Sequence, residues 1–420
     1  MVLTIVLLLI AAKLVMEFWL NRLNRHEVKA HADEIPDAFR DSIDAPTYRK
    51  AVDYTLARGR FEDFQMLYDT AILVLILSTF ILPVIYRWFG SHLGPSAPAE
   101  AAFLFSLGIL LAIPSLPVDW VNQFKLEQRF GFNTTTQKIW WLDRAKGLIL
   151  ALLIGYPLLI LILKLVQWTG PLWWLWAWAV VLAFQLLMVV LAPILILPLF
   201  NKFTPLPEGS LRERLLRLGE RTGFHSQTIQ VMDGSKRSRH SNAFFTGFGR
   251  FRKIILFDTL INQLSDVELE AVLAHEIGHY KKKHIPKMLA ASAIGLLIAF
   301  YVIAWIARQP WFYRAFGFEP GSIVPALLLF SLLSGVVTFW FGPLVNLISR
   351  KFEYQADAYA AETMREPNSL IHSLRQLNEK NLSNLTPHPL YSAFYYSHPT
   401  LLERESALRR EGQALPSAVA

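Results

Sequence analysis

The chain has no cysteine, so it forms no disulfide and offers no thiolate to a metal; any metal site must be built from histidine and carboxylate. Charge is scarce as well. Only 18% of the 420 residues are Asp, Glu, Lys or Arg, against about a quarter in soluble domains. The deficit is balanced by 53% apolar residues, gathered into runs long enough to cross a bilayer. That combination excludes a soluble globular protein and points to an integral membrane protein with the lipid bilayer as its main partner. The formal net charge of +8 does not indicate nucleic acid, because the basic residues flank the apolar runs and no aromatic-interleaved RNA or DNA motif is present. No basic stretch precedes the first apolar run and no small-x-small cleavage site follows it, so a retained anchor is expected rather than a signal peptide.

Seven spans are expected, at about 2–20, 66–88, 101–118, 147–166, 172–199, 288–307 and 323–348. Within the first, Lys13 and Glu17 are four apart and placed to pair on one helix face; the alternative is that Lys13 snorkels to the interface. Trp173 to Trp178 read as an interfacial aromatic belt. Lys plus Arg number 8 in the first connection, 5 in the third, 15 from Lys202 to Lys287 and 8 after the seventh span, whereas the opposite loops hold only Arg87, Arg308 and Arg314. The positive-inside rule puts the rich set in the cytoplasm and the N-terminus outside. The expected fold is mainly α, a polytopic membrane protein with a small α/β insert. It divides into spans one to five (1–200), the insert (201–287), spans six and seven (288–348) and a C-terminal helical segment (349–420).

The insert carries the chemistry. Ser210 to Gly223 reads as an amphipathic helix; Thr228 to Met232, Asn242 to Thr246 and Lys253 to Phe257 read as short strands. Ser265 and Glu268 form an S-x-x-E capping box that starts a helix running through His279 towards Pro286. On that helix stands HEIGH, a zinc-protease signature: His275 and His279 share one face, and Glu276 is beside them to handle a metal-activated water. The longer metzincin pattern needs Gly and His where Lys282 and Ile285 stand, so that class is excluded. His284, five beyond His279, is a poor match to the same face. A catalytic site needs a third protein ligand, and SRKFEYQADAYAAE after the seventh span offers Glu353, with Asp357 one turn on to support a ligating histidine. Glu353 could instead pair with Arg350 as an ordinary surface ion pair.

HEIGH, the E-Y-x-A-D segment beyond two spans and Ser397-His398-Pro399 together resemble the integral-membrane type-I CAAX prenyl proteases. The resemblance extends to SNAFFTGFG at Ser241 to Gly249, LFDTLI at Leu256 to Ile261, the GFN within Glu127 to Thr136, and HPTLLER at His398 to Arg404. It covers nearly the whole chain. The bacterial heat-shock membrane zinc proteases share the zinc motifs but have fewer spans. Membership implies a zinc metalloendopeptidase whose seven helices surround a water-filled chamber. It implies His275, His279 and Glu353 as ligands of one Zn2+ per chain, and Glu276 as general base. It further implies Asp357 as the supporting carboxylate, His398 as a group that contacts substrate or the developing oxyanion, Arg404 as a supporting residue, and Asn242 with Ala243 on an edge strand that pairs with extended substrate. By themselves His398 also reads as a loop histidine and Asn242 as a turn residue entering a strand.

The substrate expected is a peptide or protein, prenylated or membrane-embedded. Cleavage C-terminal of a prenylated cysteine and quality control of surplus membrane protein are both open, as is a transporter or channel with a structural zinc. Absence of cysteine and of a basic retrieval tail points to a bacterial inner membrane with the zinc site towards the cytoplasm.

Overall fold

The computed structural model describes residues 1–224, 228–241, 243–246 and 253–414. Six helical segments are long and apolar enough to cross a bilayer: Val2–Ala30, Ala97–Phe130, Gln137–Trp168, Gly170–Phe200, His284–Ile306 and Ile323–Met364. A seventh arises if the bent pair Ala45–Ser78 and Ile81–Leu93 is one span. In Gly170–Phe200 none of the most apolar window is buried by protein, so lipid must solvate it.

Three elements differ from expectation. The second span is not straight: it turns by 60° between Ser78 and Ile81. Phe80 there adopts φ 53°, and Pro83 in the first turn beyond has no N–H to continue the preceding helix. The third span does not stop near 118. Helix continues through Asn122–Glu127 with a wider, π-type turn to Phe130, and ends where Gly131 takes φ 88°. The seventh span and the segment bearing Glu353 form one run, with a single 3-10 turn at Phe339–Phe341 before the helix Gly342–Met364, here called the ligand helix.

The insert holds a four-stranded sheet: β1 (Phe203–Pro205), β2 (Thr228–Met232), β3 (Ala243–Thr246) and β4 (Lys253–Phe257). Its order is β1-β2-β4-β3, with β2 and β4 parallel and the outer pairs antiparallel. β1 is too short to be legible in the sequence. β3 lies at one edge, with no further strand beside it among the described residues. The amphipathic helix Ser210–Thr222 buries Leu215 and Leu218. With Ile254 and Leu256 of β4 and Leu273 and Ile277 of the helix Asp266–Lys281, the motif helix, they belong to one apolar core. The loop after the third span docks on this domain: Thr134 Oγ1 donates to the Ser235 carbonyl, and Arg239 N–H to that of Phe132.

The motif helix packs against the ligand helix at very short range. A methyl group built on Gly278 would sit 2.9 Å from the Ala356 Cα and 3.0 Å from its carbonyl oxygen. Glycine is therefore required for the approach of the two backbones rather than for its dihedral freedom. Gly278→Ala is expected to force the helices apart, costing about 1–3 kcal/mol and lowering bound metal in the purified protein. Unchanged thermal stability and metal content would remove this crossing from the account.

Candidate metal centre

The motif helix starts from a reciprocal cap. Ser265 Oγ accepts from the Glu268 N–H, and the Glu268 carboxylate accepts from the Ser265 N–H, as the sequence predicts. From that start the helical repeat delivers His275 and His279 to one face, with their Nε2 atoms 3.2 Å apart. Glu353 brings Oε2 to 3.5 Å from His275 Nε2 and Oε1 to 3.4 Å from His279 Nε2. One ligand-capable atom from each lies within 4.8 Å of the others. Glu353 is 4% exposed, and its Oε2 is buried without a hydrogen-bond partner. An ionised oxygen in that position is costly unless a cation meets it closely, and Arg404 Nη1 stands 3.9 Å off, beyond hydrogen-bond reach. Arg350 does not meet it: its Nη1 donates to the carbonyls of Ser392, Ala393 and Tyr396 instead.

Behind the donors lies a chain of hydrogen bonds. His275 Nδ1 is 2.7 Å from Asp357 Oδ1, so its N–H donates there and Nε2 is left facing Glu353 and His279. Arg404 grips the same carboxylate with Nη2 at 2.6 Å and Nε at 2.8 Å. Burial alone would lower the His275 pKa, but the Asp357 and Glu353 carboxylates override it and hold the ring at about 9. Burial pushes the Glu276 carboxyl upward, against the pull of the two histidines. His398 Nε2 is 3.4 Å from Glu353 Oε1, with its ring open to solvent. His398 and Arg404 line a cavity of about 540 Å3, and a second, of about 610 Å3, shares Tyr54, Arg58, Glu62 and His240 with it.

Sequence reasoning missed His284. Helix does not run on to Pro286: it stops at Lys281, Lys283 takes φ 56°, and a new helix begins at His284. This break turns His284 back, putting its Nδ1 2.9 Å from His279 Nδ1 and its Nε2 2.9 Å from Gln355 Oε1. The Gln355 oxygen can only accept, so His284 Nε2 carries the hydrogen and its Nδ1 accepts from His279. The signal was Pro286, which suits the first turn of a helix better than the last. A second group missed is Tyr54 OH on Glu127 at 2.8 Å and Glu127 on His240 at 3.3 Å, just ahead of β3. Ala243 opens β3 opposite Leu256; Asn242 lies outside the described residues.

Two family models match the chain, one described as the CAAX prenyl protease N-terminal region with five membrane helices, over residues 24–202, the other as peptidase family M48, over 205–412. The chain is 38% identical to CAAX prenyl protease 1 of Saccharomyces cerevisiae, covering 91% of this chain and 90% of that one. The corresponding values for the Dictyostelium discoideum homologue are 34%, 94% and 93%. The crystal structure of S. mikatae Ste24p superposes with a TM-score of 0.90 at 35% identity, over 97% of this chain and 98% of that one. The chain belongs to peptidase family M48. It is a multi-pass membrane metallopeptidase. These relatives are eukaryotic, so the bacterial source expected from the sequence is not borne out. A missing cysteine excludes a chemistry and carries no cellular address.

Metal binding needs a neutral imidazole, whereas the metal-free His275 ring is protonated below about 9. Metal affinity of the peptidase should therefore rise with pH up to that value, with about one proton released per chain at neutral pH; calorimetry in buffers of different ionisation enthalpy measures it, and zero release contradicts it. Asp357→Asn and Arg404→Lys should each lower metal affinity about 10–100-fold in a chelator titration, since the first weakens the grip on His275 and the second loses the planar fork.

Proposed function

We propose that the chain is a zinc endopeptidase holding one Zn2+ on His275, His279 and Glu353. The observation that carries this is the convergence of the donors: the two Nε2 atoms lie 3.2 Å apart, each within 3.5 Å of a Glu353 carboxylate oxygen, and one ligand atom from each of the three residues lies within 4.8 Å of the others. Two donors on a tetrahedral ion with bonds of about 2.0–2.1 Å lie about 3.3–3.4 Å apart, close to the separation of the two Nε2 atoms. Zinc, when bound, acts as a Lewis acid on the scissile carbonyl and makes water a usable nucleophile near neutral pH. Glu276 takes a proton from that water and returns it to the leaving amine, for which its raised pKa suits it. His398 borders Glu353 from the cavity side and donates a hydrogen bond to the developing oxyanion. Substrate lies extended along the outer edge of β3, beside which no further strand stands among the described residues, with Asn242 and Ala243 in the substrate-binding role that the family resemblance implies.

The relatives are named for CAAX prenyl proteolysis, and a prenylated C-a-a-X sequence is C-terminal. We assign the same substrate class here: cleavage after a prenylated cysteine, with the metal centre towards the cytoplasm as the charge bias of the connections implies. The segments 1–200, 201–287, 288–348 and 349–420 then act as bilayer scaffold, insert, closing spans and donor of Glu353. A transporter with a structural zinc would need a closed site of four protein ligands; the donor group has three among the described residues.

Glu276→Gln should keep its zinc while peptide cleavage falls at least 100-fold; cleavage near the wild-type rate would refute Glu276 as the base. Turnover of a farnesylated C-a-a-X peptide should exceed that of the same peptide unmodified. Equal turnover of the two would favour general membrane-protein degradation.

A further inference from the structure

The first helix carries a separate assembly of charge just past its apolar run. Arg22, Arg25, His26 and Lys29 stand at i, i+3, i+4 and i+7, the spacing of one helical face. With Leu56 and Arg60 of the second helix they line a concavity of about 390 Å3. The helices cross closely here, for a methyl group on Gly59 would lie 3.1 Å from both the Arg25 Cδ and the Asn21 Oδ1. Arg25 is neutralised by Asp63. The side chains of Arg22, His26, Lys29 and Arg60 have no ion-pair or hydrogen-bond partner among the described residues. Three permanent cations around one concavity repel one another, and an anion placed between them reverses the sign.

Topology alone does not account for this arrangement. The positive-inside bias depends on how many Lys and Arg lie near a span end, not on where around a helix they point. Here two helices aim them into the same concavity. Asn21 and Asn24, on another face of the first helix, line the cavity beside His398, so the basic groove is distinct from the candidate metal centre. Depth identifies the ligand class. Arg22 and Arg25 follow Leu20, where the continuous apolar run ends, by about 3–8 Å of helix rise, which is the depth of lipid headgroups.

We propose that this groove binds the phosphate of an anionic phospholipid headgroup. Free phosphate offers the same chemistry, and competition separates the two sources. The purified, metal-loaded full chain is titrated with phosphatidylglycerol in detergent, and bound lipid is counted by native mass spectrometry. One lipid should bind saturably, and Lys29→Gln with Arg60→Gln should weaken it about thirtyfold. Arg49→Gln with Lys50→Gln removes the same charge from exposed positions of the second helix outside the groove and should change binding less than twofold. Equal weakening by both pairs, or by neither, overturns the proposal. Displacement of the lipid by a tenfold excess of inorganic phosphate overturns the lipid assignment. If the first pair fails to fold, Lys29→Gln alone should give about a fivefold loss, and none would count against the site.

Discussion

One buried carboxylate sets the terms for the rest of the molecule. Glu353 is almost fully enclosed, with one oxygen left without a hydrogen bond, and a buried charge is costly unless its partners are held in place around it. Two imidazoles converge on it, and their orientation is held from behind by Asp357 and Arg404 on one side and by His284 and Gln355 on the other. The arrangement suits a dication. It also explains why Gly278 lies where the two helices touch, since a side chain there would displace the carboxylate from the histidines.

Because the helix bearing Glu353 is continuous with the last span, the donor set exists only when the membrane domain is assembled. The docking of the 127–136 loop on the insert works in the same direction. The membrane part is thus a structural member of the centre as well as its anchor. The two cavities that meet at Tyr54, Arg58 and Glu62 lead from the spans to His398.

Much of this was legible from residues alone. The capping box, the shared face of His275 and His279 and the three longer strands follow from local rules that operate within a few residues. Glu353 and Asp357 were legible because helical spacing set them together on a segment that needed a partner. His284 was not, because its position depends on one residue, Lys283, adopting left-handed backbone, which no periodicity encodes. The bend at Phe80 and the third span, which breaks for a turn at Ile113 and Pro114 and resumes through Pro117, have the same origin: proline marks where a helix changes, and packing decides whether the span stops. The Tyr54–Glu127–His240 contacts join segments far apart in the chain, and only the assembled fold brings them together.

The central claim is that His275, His279 and Glu353 bind one zinc and leave a position open. An anomalous difference map at the zinc edge, from crystals of the purified full chain, tests it most directly. The account predicts a single peak among these three side chains, with a non-protein ligand completing the coordination. A peak enclosed by four protein ligands, or none at this place in a zinc-replete protein, would contradict it.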